Sequence, residues 1–180
     1  MSFEIVMGPM FSGKTTYAIS YVQQQQSIGK KVVIVKPNID TRYSLQSVIM
    51  SHNKQSHPCL IWDVNIHLYV AQEMLNADCI VIEESQFFAG LLNIIKPLVF
   101  VHKKHVLAVG LNGDASQCVF GELLDCIPLA TKVTCLSALC SICKDGTPAH
   151  YSKKPAADMV DDQVDVGGAD KYIAVCLKHL

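Results

Sequence analysis

A chain of 180 residues that is half hydrophobic and only 17% charged falls outside the class of sequences that stay disordered, and it is long enough to bury a core without covalent staples. Fifteen basic against sixteen acidic residues leave a formal net charge of −1, which excludes a nucleic-acid coat and predicts neither a nucleic-acid nor a membrane partner. The longest apolar stretch, Phe87 to Val101, is broken by Asn93, Lys96 and Pro97 and is too short to span a bilayer. Met1-Ser2-Phe3-Glu4 lacks the basic region and apolar core of a signal peptide. The expectation is a cytoplasmic chain, in which eight cysteines are buried thiols or metal ligands rather than disulfides.

Phe3 to Met7 is a short apolar run ending at Gly8, and from Lys14 the pattern turns helical, with Ala18, Tyr21 and Val22 on one face and Gly29 as the stop. Lys31 to Lys36 reads as a buried strand, Pro37 to Ser56 as a polar loop, and Cys59 to Trp62 as a short strand. Ile66 to Leu75 reads as a helix and Cys79 to Ile82 as a buried strand. Ala89 to Phe100 has a helical pattern that Pro97 must kink or end. Val106 to Val109 and Lys132 to Leu136 supply two more strands. Strands alternating with helices predict an α/β fold, a mostly parallel sheet covered on both faces. After Leu136 the cysteines cluster and no long helix is patterned. Residues 1–136 are therefore expected to form a phosphate-loop nucleotide domain, and 137–180 a small metal-bearing one.

Gly8-Pro9-Met10-Phe11-Ser12-Gly13-Lys14-Thr15 matches the phosphate-loop pattern between a strand and a helix. Its glycines allow backbone N–H groups to face a phosphate, Lys14 reaches the outer phosphates, and the Thr15 hydroxyl suits Mg²⁺. The strand Cys79 to Ile82 ends in Glu83 and Glu84, where one carboxylate can hold the metal and the other take a substrate proton. Asp40-Thr41-Arg42-Tyr43 contains the only arginine of the chain. A planar fork for phosphate or carboxylate and an exposed loop arginine are both compatible with that segment.

These segments, together with Glu83-Glu84-Ser85-Gln86-Phe87-Phe88 and Gly167-Gly168-Ala169-Asp170-Lys171-Tyr172, occur in an order and spacing that resemble the cytosolic, cellular-type thymidine kinases, a family also found in large DNA viruses. The resemblance covers nearly the whole chain. It implies transfer of the ATP γ-phosphate to the 5′-hydroxyl of thymidine, with Mg²⁺, a structural Zn²⁺, a small domain over the nucleoside and a homotetramer. It implies Glu84 as the general base, Lys14 and Arg42 as charge-stabilising partners, and Glu83 with Thr15 at Mg²⁺. Glu83 stands where the family usually has aspartate, and Ser85 replaces a common glycine. The cofactor set it implies is Gly8 to Thr15, Asp40, Thr41, Arg42, Glu83 and Gln86. The nucleoside set is Met10, Phe87, Leu111, Phe120, Ser152 and Tyr172, with main-chain groups of Gln163, Val164, Asp165, Val166 and Gly167 reading the base. Ala115 stands at a position where many members carry an aromatic.

Cys140-x-x-Cys143 and Cys176-x-x-His179 are two pairs with the spacing of a zinc knuckle. They predict one site with three sulfurs and one imidazole, where the family usually has four cysteines. Cys135 is expected at a strand end, and Cys59, Cys79, Cys118 and Cys126, which lack paired spacing, are expected to be buried. Two other readings compete with a thymidine kinase: a different phosphate-loop deoxynucleoside kinase, and a nucleotide-switched binding module built on the zinc knuckle.

Overall fold

The computed structural model describes residues 1–40, 47–51, 55–64, 70–155, 163–165 and 167–180. Its strands are β1 (Ser2–Met7), β2 (Val32–Pro37), β3 (Val48–Met50), β4 (Ser56–Pro58), β5 (Leu60–Trp62), β6 (Cys79–Ile82), β7 (His105–Gly110), β8 (Lys132–Cys135), β9 (Ala138–Leu139), β10 (Pro148–Ala149), β11 (Tyr151–Lys153) and β12 (Ile173–Val175). The α-helices are α1 (Lys14–Ser27), α2 (Gln72–Leu75) and α3 (Leu91–Lys96). Six strands form one sheet in the order β5-β2-β6-β7-β1-β8, and every pairing within it is parallel.

A parallel sheet must bury both faces, and the side-chain alternation of its strands carries that out. Phe3, Ile5, Ile80, Ile82, Val106 and Ala108 join one core with Leu91, Ile94, Ile95 and Leu98 from α3 and the turn after it. Their alternates Val6, Val81, Leu107 and Val109 join a second core with Ala18, Ile19, Tyr21 and Val22 of α1. The apolar face of α1 is the one expected from its spacing. Gly29, at φ +79°, lies just past its end, as the stop signal requires.

Two segments depart from expectation. The stretch read as a polar loop contains β3, which pairs antiparallel with β4 and buries Ile49 at 3% exposure. The helix expected over Ile66 to Leu75 is present at Gln72–Leu75, and residues 65–69 lie outside the described set. Pro97 ends the α-helix, one of the two outcomes expected of it. The chain passes from α3 into a π-type turn, Pro97–Val101, in which hydrogen bonds span one residue more, so the missing proline N–H is absorbed where the pattern changes.

Among the described residues after β8, the strands form two-stranded pieces, β9 with β10 and β11 with β12, both antiparallel. Ala138, Cys140, Ala149, Ala174, Val175 and Cys176 form their own small core.

Candidate functional site

In an open parallel sheet, ligands gather at the carboxyl ends of the strands, where connections leave in opposite directions. β1 lies between β7 and β8, and its connection through α1 crosses β7 and β6 to reach β2. The loop after β1 and the carboxylates after β6 are therefore one strand apart, roughly 10 Å between strand axes, with the end of β7 between them.

The loop Gly8–Thr15 enters α1 through Gly13, whose φ of +82° lies in the left-handed region that glycine tolerates. Its carbonyl accepts the Tyr17 N–H at 3.0 Å and so begins the helix. Lys14 is buried, and its Nζ donates to the Pro9 carbonyl at 2.7 Å. The same carbonyl accepts the Ser12 hydroxyl at 2.8 Å. A bound phosphate offers Lys14 a stronger, charged acceptor in place of this neutral one.

Thr15 Oγ1 donates to Glu83 Oε1 at 2.5 Å. Glu83 is 2% exposed, and its other oxygen, Oε2, has no hydrogen-bond partner among the described residues. Burial, then the neighbouring Glu84 charge, push the Glu83 carboxyl above the usual carboxylate range, against the pull of the Thr15 hydroxyl and Lys14. A buried carboxylate with an unpartnered oxygen next to a hydroxyl is a hard-oxygen donor set that suits a small divalent cation, and Mg²⁺ fits it.

Glu84 has φ +50° and ψ +46°, a left-handed conformation that strains a residue with a side chain by about 1–3 kcal/mol. Its carboxylate is held by Gln86, whose Nε2 donates to Glu84 Oε2 at 2.6 Å while its Oε1 accepts the Leu111 N–H at 3.1 Å. Gly121, at φ +61°, lies directly against Gln86, and a Cβ there would overlap the Gln86 carbonyl. Ser85 Oγ donates to the Ile82 carbonyl at 2.7 Å and accepts the Val109 N–H at 3.1 Å. The serine at this position therefore ties the end of β6 to β7.

Two cavities open here. One, of about 540 Å³, borders Gly13, Lys14, Thr15, Asp40, Glu83 and the hairpin residues Ile49 and Met50. The other, of about 900 Å³, borders Gln86, Phe87, Phe120, Ser152, Gln163, Asp165 and Gly167. Met10, Glu84, Leu111 and Tyr172 border both and form the wall between them. Phe87 and Phe120 meet edge to face, with centroids 5.2 Å apart. Ser152 Oγ accepts the Met10 N–H at 2.9 Å, joining β11 to the phosphate loop.

The four knuckle residues converge. Their ligand atoms all lie within 4.8 Å of one another. Cys143 and Cys176 sulfurs are 3.8 Å apart, and His179 Nδ1 lies 3.6, 3.3 and 3.5 Å from the sulfurs of Cys140, Cys143 and Cys176. A tetrahedral Zn²⁺ with ordinary bond lengths separates two sulfurs by about 3.8 Å and a sulfur from a nitrogen by about 3.5 Å. The set therefore fits zinc.

Of the residues expected at the site, Thr41, Arg42 and Val166 lie outside the described residues. Val164 is half exposed, and Gln86 is engaged with Glu84 and Leu111. Cys118 is exposed, not buried. It closes a tight turn, donating its N–H to Asp114 Oδ1 at 2.9 Å and accepting the Asp114 N–H at 3.0 Å, which keeps it at the surface. Cys135 ends β8 as expected. Sequence reasoning missed Ile49 and Met50, whose short apolar run was the available signal, and Lys154, which carried none.

Comparison with known proteins gives one answer. The family model described as thymidine kinase matches residues 1–180. Thymidine kinase a of Arabidopsis thaliana is 36% identical over 97% of this chain and 73% of its own length. The cytosolic thymidine kinase of Homo sapiens is 34% identical over 96% of this chain and 70% of its own. The thymidine kinase of Choristoneura fumiferana entomopoxvirus is 33% identical over 98% and 94%.

Proposed function

The chain belongs to the thymidine kinase family, and from that premise we propose that ATP occupies the smaller cavity, thymidine the larger, and that the γ-phosphate passes to the 5′-hydroxyl at the wall they share. The observation that carries this reading is that Glu84 borders both cavities. A base must be within reach of the hydroxyl and of the phosphoryl it attacks, and in such transfers positioning and charge neutralisation do most of the work. Glu84 orients the 5′-hydroxyl and takes its proton. Lys14 exchanges the Pro9 carbonyl for phosphate oxygens, the loop N–H groups face the same anion, and Arg42 stabilises the transferred charge. Thr15 and Glu83 would hold Mg²⁺, which supplies neutralisation of the phosphate charge when bound. Cys140, Cys143, Cys176 and His179 would hold a structural Zn²⁺.

Phe87 and Phe120, in edge-to-face contact, line the base region, and Met10, Leu111 and Tyr172 surround the thymine methyl. Backbone groups of residues 163–167 read the base edge. Cytosine reverses one donor and one acceptor there, at about 1–3 kcal/mol for each unpaired group, so thymidine should be used first, deoxyuridine second and deoxycytidine far behind. The division near Leu136 belongs to the same reading, supported by the separate small core after β8. So do the homotetramer and the cytoplasmic setting that the resemblance implies.

The test is Glu84→Gln in an assay of ADP release with ATP, Mg²⁺ and thymidine. Turnover should fall by roughly 10²–10⁴-fold, the usual contribution of a general base, with ATP binding retained. Near-normal turnover would remove Glu84 from this role, and release of ADP at a slow rate indifferent to every nucleoside would favour a nucleotide switch.

A further inference from the structure

Lys154 follows β11 and is 8% exposed, a degree of burial lysine rarely reaches without a partner. Its Nζ lies 3.0 Å from Asp165 Oδ2 and 5.6 Å from the centre of the Tyr172 ring. Asp165 is engaged on two further sides. Its Oδ1 is 2.5 Å from Lys171 Nζ, and its carbonyl accepts the Tyr172 hydroxyl at 2.6 Å. Two residues earlier, Gln163 Nε2 donates to Asp114 Oδ2 at 2.7 Å and to the Val119 carbonyl at 3.0 Å. Lys154, Gln163, Asp165 and Tyr172 all border the larger cavity.

None of the described residues between 163 and 172 belongs to a strand. The backbone bonds recorded for them, Lys171 N–H and Tyr172 N–H to the Gly168 carbonyl, close only their own turn. Side chains must therefore fix this stretch against the cavity. The two cations on Asp165 are unequal. Lys171 is 40% exposed and water competes for its contact, whereas Lys154 has little access to water. Losing Asp165 would leave the Lys154 ammonium buried and unpaired, the costly case for a charge. The Tyr172 ring face gives the same ammonium a second, weaker attraction.

We propose that Lys154 is a positioning residue for the nucleoside: its ion pair with Asp165 latches residues 163–165 and 167–172 against the larger cavity, so that their backbone groups are in place before the base arrives. This rests on the assignment of that cavity to thymidine. A preformed reading edge spares the nucleoside the ordering of the segment on binding. The latch acts on nucleoside affinity and not on the phosphate loop.

Lys154→Met keeps the apolar stem beside Tyr172 and removes the charge. The thymidine KM should rise about tenfold, within the range of coupling between contacting charged residues, while the ATP KM and zinc content stay at wild-type values. Lys154→Arg should recover most of the loss. Asp165→Asn should weaken thymidine binding at least as much as Lys154→Met, because it also leaves the Lys154 ammonium unpaired and releases Lys171, and the double variant should be no worse than the poorer single one. A readout independent of substrate is amide hydrogen exchange over residues 163–172 in nucleoside-free protein, which should speed up by a similar factor in Lys154→Met. An unchanged thymidine KM in Lys154→Met, or unchanged exchange, overturns the latch. Wild-type protein that phosphorylates no nucleoside overturns the cavity assignment instead, and the exchange measurement still decides whether the pair holds the segment.

Discussion

Replacing Gln86 with leucine tests whether Glu84 is held in place or merely present. The side chain is 3% exposed and joins two groups, the Glu84 carboxylate at 2.6 Å and the Leu111 N–H at 3.1 Å. Leucine has similar bulk and can do neither. Each donor or acceptor deprived of its partner in a buried setting costs about 1–3 kcal/mol, with charged groups toward the upper end. The two together come to about 2–5 kcal/mol once some apolar contact is recovered. At about 2–4 °C per kcal/mol for a chain of this size, the midpoint of thermal unfolding should drop by roughly 4–20 °C. Activity should fall in a different pattern. Glu84 carries a strained backbone and loses the donor that fixes its carboxylate, so kcat should fall about tenfold or more while the ATP KM is unaffected. Gln86→Glu adds a check of sign. It places a second carboxylate against the first, and protonating one of them restores a donor, so this variant gains stability as pH falls. Calorimetry and steady-state kinetics on both variants decide the matter. Unfolding of Gln86→Leu within about 1 °C of wild type, with kcat within about twofold, would refute the account of the site.

Other outcomes follow from the same geometry. Purified protein prepared without chelator should contain one zinc per chain, and Cys143→Ser should lose it and weaken thymidine binding more than ATP binding. Lys153 Nζ reaches the His179 carbonyl at 2.9 Å, next to Ser152 in β11, and zinc-free wild-type protein would refute this. Ser152→Ala leaves the Met10 N–H without its partner across 142 positions of chain, so it should cost about 1–3 kcal/mol of stability by calorimetry; a change below about 0.5 kcal/mol would count against the contact. Iodoacetamide near neutral pH should modify Cys118 and Cys135 first, both exposed. Burial pushes the Cys59 thiol up to about 11 and Cys126 up to about 12, which leaves a thiolate fraction on the order of one in ten thousand or less near neutral pH. Mass spectrometry showing Cys59 labelled ahead of Cys118 would contradict the burial described.

What could be read from the residues and what could not have the same physical origin. The strands Cys79 to Ile82 and Val106 to Val109 were legible because a parallel sheet buries both faces, which leaves an unbroken apolar run, and Phe3 to Met7 was legible because only Glu4 interrupts one. The phosphate loop and the zinc pairs were legible because their geometry is local, with ligands a fixed few residues apart. Strand order was not legible, since Ile5 meeting Ala108 and Val133 in register depends on contacts over more than a hundred positions. The hairpin of β3 and β4 was hidden because three-residue strands carry too little alternation to stand out from a polar stretch. Lys154 and Asp165 were hidden for another reason. Two opposite charges eleven positions apart obey no helical or strand period, and their partnership exists only once β11 and β12 bring their flanks together.

Two of the five non-glycine residues at positive φ among the described residues lie at the smaller cavity. Phe11 and Glu84 both adopt positive φ, one inside the phosphate loop and the other at the end of β6, and both border the smaller cavity. The rest of the fold must offset that strain. The two cores on either side of β1, β6 and β7 provide a rigid floor. Gln86, with Gly121 packed against it, carries that rigidity to the Glu84 carboxylate, and the Ser152 contact carries it from the phosphate loop to the small C-terminal sheet. A kinase that works mainly by positioning needs such a route from the sheet to the reacting groups. Variants along it should therefore lower turnover more than their distance from the phosphate suggests, whereas equal volume changes in α3, on the far side of β6, should lower stability alone.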